Sequence, residues 1–166
     1  MNETVKTTVR TILYGAIDGA KAGAAATVPM GATLRLGLMA TDTSQRVPFS
    51  AVMKSIERKV GVHVDEPVHD AAAWAGHVAS GAAFGALFGA ATSLLPAQAR
   101  SPAKDAAWGA VFGLGLWAAS YLGWLPAPGV LRFAKRGPAA LNATNIAAHL
   151  VWGGATGARL ARTPTA

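Results

Sequence analysis

Apolar residues run along this chain in long uncharged blocks, and the blocks predict helices long enough to cross a bilayer. No Asp, Glu, Lys or Arg interrupts residues 71–99, 106–131 or 137–158. Each block reaches the roughly 20 residues that a helix needs to cross a hydrocarbon layer of about 30 Å. An earlier block is less regular. Residues 11–40 read as apolar but contain Asp18, Lys21 and Arg35, and Pro29 within them is expected to kink or break a helix. The predicted spans are therefore about 11–40, 71–96, 106–126 and 139–160. Pro96 closes the second, and Pro126 with Pro128 closes the third. Trp74, Trp108 and Trp124 fall near span ends, where an indole prefers the membrane interface; Trp117 and Trp152 fall deeper, as packing residues.

A polar segment, residues 41–70, separates the first two blocks. Within it, residues 50–60 read as a short amphipathic helix. Val52, Met53, Ile56 and Val60 share one face, while Lys54, Glu57, Arg58 and Lys59 fall elsewhere. Ser50 is placed to cap its start and Gly61 to stop it. Such a helix lies on the membrane surface or against a bundle.

Glycine recurs inside the blocks at steps of four, which put it on one stripe of a helix. The stripes are Gly15/Gly19/Gly23, Gly81/Gly85/Gly89, Gly109/Gly113 and Gly153/Gly157. Two of them open with histidine: His77-xxx-Gly81-xxx-Gly85-Ala86 and His149-xxx-Gly153-xxx-Gly157-Ala158. The first block thus resembles the third, and the second the fourth. This predicts a tandem repeat of two-helix units related by an axis along the membrane normal.

Composition fits this picture. Charged residues make up 14% of the 166, and there are 19 glycines, against about 25% charged in soluble domains. Small residues are what membrane helix interfaces favour. A soluble Ala-rich bundle would have to bury several uncharged segments with little polar face. The expected fold is all-α: one domain over residues 1–166, a polytopic membrane four-helix bundle plus the surface helix.

The net charge of +7 is dispersed between blocks, with no basic helix face and no aromatic–basic interleaving, so nucleic acid is not an expected partner. The basic residues divide almost evenly between the two sides. Lys6, Arg10, Arg100, Lys104, Arg159 and Arg162 stand against Arg35, Arg46, Lys54, Arg58, Lys59, Arg132, Lys135 and Arg136, which leans weakly toward cytoplasmic termini. Asp18 and Lys21 interrupt any signal-like core, so the first helix is expected to be retained. The absence of cysteine removes disulfides and thiol chemistry.

Three groups of residues are candidates for chemistry. A parallel repeat places His77 and His149 at similar depth, facing each other. The pair could ligate haem b, relay protons or hold a metal, or each ring could simply hydrogen-bond a neighbouring helix through Ser80, Thr144, Asn145 or Thr156. Asp18 and Lys21, three apart, form an ion pair, either interfacial or on an internal polar track. His63, Asp65 and His69 offer imidazole and carboxylate to Zn, Cu or Ni, although Pro67 interrupts the segment and a solvated loop is the simpler reading. The sequence contains no nucleophile elbow, phosphate loop or paired-carboxylate motif. The expected function is a non-enzymatic membrane module, an accessory or structural subunit or a homo-oligomer, packed through its glycine stripes. The alternative is a haem, proton, ion or metal site at His77 and His149.

Gly15-Ala-Ile-Asp-Gly19, Ala75-Gly76-His77-Val78 and His149-Leu150-Val151-Trp152 together resemble the YagU-type family of bacterial inner-membrane proteins, or a neighbouring group of Gly/Ala-rich four-span proteins. Pro48-Phe49 stands where such proteins often carry a proline-rich pair. The resemblance implies a bacterial inner-membrane location and names no reaction.

Overall fold

A computed structural model describes residues 2–40, 48–124 and 138–162, and within them every regular element is helical. Five α-helices follow in chain order: α1 (Glu3–Ala40), α2 (Pro48–Val60), α3 (Glu66–Thr92), α4 (Pro102–Ala119) and α5 (Ala139–Leu160). A single 3-10 turn, Ala97–Ala99, precedes α4, and a π-helical turn, Ser120–Trp124, follows it. The all-α expectation holds. The predicted third-span end at Pro126 and Pro128 lies outside the described residues, as do Arg46, Arg132, Lys135 and Arg136.

Two helices, α3 and the α4 segment Pro102–Gly123, are long and apolar enough to cross a membrane by length and composition. Helix α1 has the length but carries Asp18, Lys21 and Arg35 along it. Helix α5 carries Asn142, Thr144, Asn145, His149 and Thr156. These polar groups dilute the hydropathy of the two helices the sequence pattern also counted as spans.

Helix α1 begins at Glu3, ahead of the apolar stretch that opens near residue 11, and it continues through Pro29 without the break that proline can impose. Proline removes one helical donor, but neighbouring helices cover this stretch. Ala22, Gly23, Ala26, Thr27, Met30 and Leu34 are all buried on either side of the proline.

Helix α1 packs against both α3 and α5, and α4 packs against α5. The glycines set how closely. Gly15 lies against Gly89, Gly19 against Gly85, and Gly23 against Gly81, so residue numbers rise on one helix as they fall on the other and the pair is antiparallel. The second unit repeats the arrangement: Gly109 meets Gly153, Gly113 meets His149, and Gly157 meets Asp105. At eight of the ten stripe glycines the nearest neighbour is backbone, while Gly15 meets Ser93 and Gly81 meets Thr27 first; this close approach is the reason for glycine at these positions. All ten glycines of the stripes face helices of the same chain. The units join along α1 and α5, where the Trp152 indole N–H donates to the Gly23 carbonyl at 3.0 Å. Trp152, Ala26, Met30, Leu34 and Ala148 form the core of that seam.

Helix α2 ends as predicted. Gly61 adopts φ of 74°, and Val62 N–H donates to the Glu57 carbonyl at 3.1 Å, the hydrogen bond of a glycine-terminated helix. Its orientation is the reverse of simple amphipathic burial. Ser50, Ser55 and Glu57 are buried, while Ile56 and Val60 on the apolar face are exposed. Ser50 does not serve as a cap, because the helix starts at Pro48 and the Ser50 hydroxyl bonds to His69.

Candidate functional site

Helix α3 begins at Glu66, with Pro67 in its first turn, so the segment expected to form a loop contributes Glu66, His69 and Asp70 to the start of a helix. Proline is well tolerated there because first-turn N–H groups have no helical acceptor. This places His69 on the side of α3 that meets α2, and it is completely buried. Its Nδ1 lies 2.6 Å from Glu57 Oε1 and its Nε2 lies 2.8 Å from Ser50 Oγ. With the carboxylate accepting from Nδ1–H, a neutral ring leaves Nε2 to accept from the Ser50 hydroxyl. The hydrogen bond from His69 holds the Glu57 carboxyl below its usual range, with Lys54 adding to the effect. Lys54 also reaches Glu66, at 3.5 Å.

Beside this network lies a cavity of about 460 Å³ between α1, α2 and α3. Phe49, Ser50, Trp74 and His77 line it, with Leu34 and Ala73 on its apolar side and Arg35, Glu66 and Asp70 as its charged groups. Two glycines make room for the aromatic wall. A Cβ on Gly76 would come within 2.7 Å of the Phe49 ring, and one on Gly31 within 3.2 Å of Trp74. His77 stacks on Trp74 with centroids 5.9 Å apart and meets Phe49 edge-on at 5.4 Å.

His149 has different surroundings. Its Nδ1 bonds to the Asn145 carbonyl at 2.8 Å, one turn back on its own helix, and Tyr121 meets the ring edge-on at 6.0 Å. The Tyr121 hydroxyl donates to Asn145 Oδ1 at 3.3 Å. The two rings pack in separate aromatic settings, His77 against Trp74 and Phe49 and His149 against Tyr121. Of the predicted partners, Asn145 is engaged, through its backbone rather than across a helix interface.

The other candidates separate. His63 and Asp65 are exposed while His69 is buried in the α2 contact. Among the described residues no three His, Cys, Asp or Glu side chains gather as a metal site would require. The metal reading of His63, Asp65 and His69 is therefore corrected: both nitrogens of His69 are already committed to protein groups. Asp18 and Lys21 lie 3.5 Å apart, with the Lys21 side chain 74% exposed, which places the pair at the surface and not on an internal track.

Sequence reading missed the Ser50–His69–Glu57 series and the contribution of Arg35 to the cavity. The intervals of 7 and 12 residues follow no motif, and only the docking of α2 on α3 brings the three together. No family model, curated protein or solved structure matches the chain.

Proposed function

We propose that this is an integral membrane protein whose four long helices cross the bilayer, and whose cavity at one membrane face receives a polar-headed amphiphile. The observation that carries this reading is the distribution of burial. A core helix of a soluble protein would be mostly covered, yet only 22% of the most apolar window of α3 and 17% of that of α4 are buried. The outward positions include Leu87, Trp108, Val111 and Leu114, while the interior holds Thr27, Thr92, Asn145, His149 and Thr156. An apolar exterior around small and polar contacts is the pattern of a bundle solvated by lipid. The outward apolar face of α2 suits an interfacial helix that dips Ile56 and Val60 among acyl chains. Because the glycine seams join helices of one chain, they serve the single molecule first. The inner-membrane location belongs to the same reading.

The chain has no cysteine, so single thiols can be introduced without background. Leu87→Cys and Val111→Cys should resist maleimide in intact membranes, Val62→Cys should react, and alkaline carbonate should leave the protein in the pellet. Release by carbonate, with Leu87→Cys and Val111→Cys reacting as fast as Val62→Cys, would reject the membrane reading. The paired motif that opens with His77 and His149 carries one second reading, a haem b or a proton, ion or metal site at that pair. A Soret band in protein extracted from its native membrane, lost in His149→Ala, supports haem; a featureless spectrum removes it.

A further inference from the structure

We infer that Ser50, His69 and Glu57 form a nucleophilic triad that cleaves a carboxylic ester held in the cavity between α1, α2 and α3. The inference rests on that cavity being the working site and adds a reaction to it. Three residue types stand in the order that acyl transfer needs: a hydroxyl on Nε2 at 2.8 Å, and a carboxylate on Nδ1 at 2.6 Å. The carboxylate fixes the tautomer, so the nitrogen facing serine is the basic one. Both ring nitrogens have the correct partner, which a buried histidine serving only as a clip does not require. Ser50 is also one of the residues that line the cavity, which puts the triad at the edge of the space a substrate would fill.

The chemistry balances with water as the one co-reactant. The Ser50 hydroxyl proton passes to His69 Nε2 as Oγ bonds the ester carbonyl carbon. The C–O bond to the alcohol then breaks, and the alcohol oxygen takes the proton from His69. Water repeats the sequence: its proton goes to His69, its oxygen bonds the acyl carbon, and Ser50 leaves as a hydroxyl while the acid is released. Glu57 remains ionised and steadies the transient imidazolium. Full burial of His69 is compatible with this path. In the tetrahedral intermediate the alcohol oxygen shares a carbon with Oγ, and so arrives beside Nε2 without the ring being exposed. Ser50 lies in the first turn of α2, where N–H groups have no acceptor within the helix and the dipole favours negative charge.

The walls indicate the substrate class. Phe49, Trp74, Leu34 and Ala73 present an apolar surface, and Arg35 is the basic side chain among the described lining residues. Glu66 and Asp70 disfavour a second negative charge. An amphiphilic ester with an apolar acyl group and at most one anionic group fits this lining, in a space within the range of small-molecule sites.

The test uses the full chain in mild detergent, where the result does not depend on whether the helices cross a bilayer. A fluorophosphonate probe should label Ser50 by peptide mapping, and Ser50→Ala should abolish both labelling and hydrolysis of p-nitrophenyl butyrate. His69→Gln should slow labelling by about 100-fold or more, the usual contribution of a general base. Because His69→Gln also loosens α2, a second measurement uses Ser50→Cys, the chain's single thiol. Beside His69 it should alkylate with iodoacetamide rapidly at pH 6, whereas an unactivated thiol titrates near ~8.5. Absence of label on Ser50 together with ordinary thiol behaviour in Ser50→Cys overturns the inference. Labelling of Ser50 that is unchanged in His69→Gln overturns it as well, since the serine would then act without its base.

Discussion

Replacing one seam glycine by alanine tests the packing argument directly, because the same replacement at an open position should have the opposite sign. A Cβ on Gly85 would lie 2.8 Å from the Gly23 Cα, and closer still to the Gly19 carbonyl oxygen. Both neighbours are backbone and neither can rotate away. Ordinary contact begins near 3.4 Å, so α1 and α3 must part by about 0.6 Å or more, a gap that forfeits a quarter to a half of each contact's dispersion energy. A seam of about 20 atom pairs at ~0.1–0.2 kcal/mol each would lose about 0.5–2 kcal/mol, overlapping the overpacking costs of ~1–3 kcal/mol. Alanine recovers up to about 1 kcal/mol of helix propensity. Gly85→Ala should therefore cost about 1 kcal/mol net once these contributions are combined. Gly115 also lies within a helix, but a Cβ there meets nothing within 4 Å, so Gly115→Ala should stabilise by up to ~1 kcal/mol. Thermal unfolding in detergent, followed by far-UV circular dichroism, should separate the two variants by about 4–8 °C for a chain of this size. Equal midpoints would refute the close-approach account of the stripe.

Three further outcomes follow from the same structure. Trp152→Phe removes the indole donor to Gly23 while that carbonyl keeps its bond within α1, so unfolding measurements should show a loss of about 1 kcal/mol, the net worth of one hydrogen bond. Arg100 donates to the buried Asp105 carboxylate at 3.1 and 2.9 Å, and Arg100→Gln should cost about 3 kcal/mol by stranding that charge, measured as a fall in the unfolding midpoint. Glu57 has a depressed folded pKa, so its contribution to holding α2 is complete above the usual value of 4.5 and is lost as pH falls through the folded value. Hydrogen exchange in α2 should accelerate below that point, and Glu57→Gln should remove the acid step while weakening protection at neutral pH. An α2 protection pattern that does not change with acid would argue against the carboxylate as the anchor.

Much of the bundle was legible because glycine spacing is a local signal. Four-step stripes mark the faces of close approach. What the spacing does not encode is which stripe meets which, since that depends on the antiparallel register of helices far apart in sequence. Helix α2 shows why amphipathicity alone misleads. Val52, Met53, Ile56 and Val60 identify a face, but the hydrogen bonds of Ser50 and Glu57 to His69 decide which face turns inward. His69 was readable as a metal ligand only while its segment was taken as a loop. Once Pro67 is accepted in a helical first turn, the ring is carried to α2. Pro29 does not end α1, because the packing of the helix on both sides of it offsets the loss of one helical donor.

The placement of α1 between α3 and α5 has a consequence for biosynthesis. Gly23 and Trp152, which bond across the central seam, are separated by 129 residues, so one face of the earliest helix has no partner until the last helix is made. The hairpin of α1 and α3 is able to close as soon as α3 emerges, but its second face must wait through synthesis of α4 and the segment that follows. During that interval the unfinished chain exposes the groove that α5 later fills. A chain truncated before Ala139 should therefore leave the Gly23 face of α1 uncovered, and the central seam is complete only once α5 is in place.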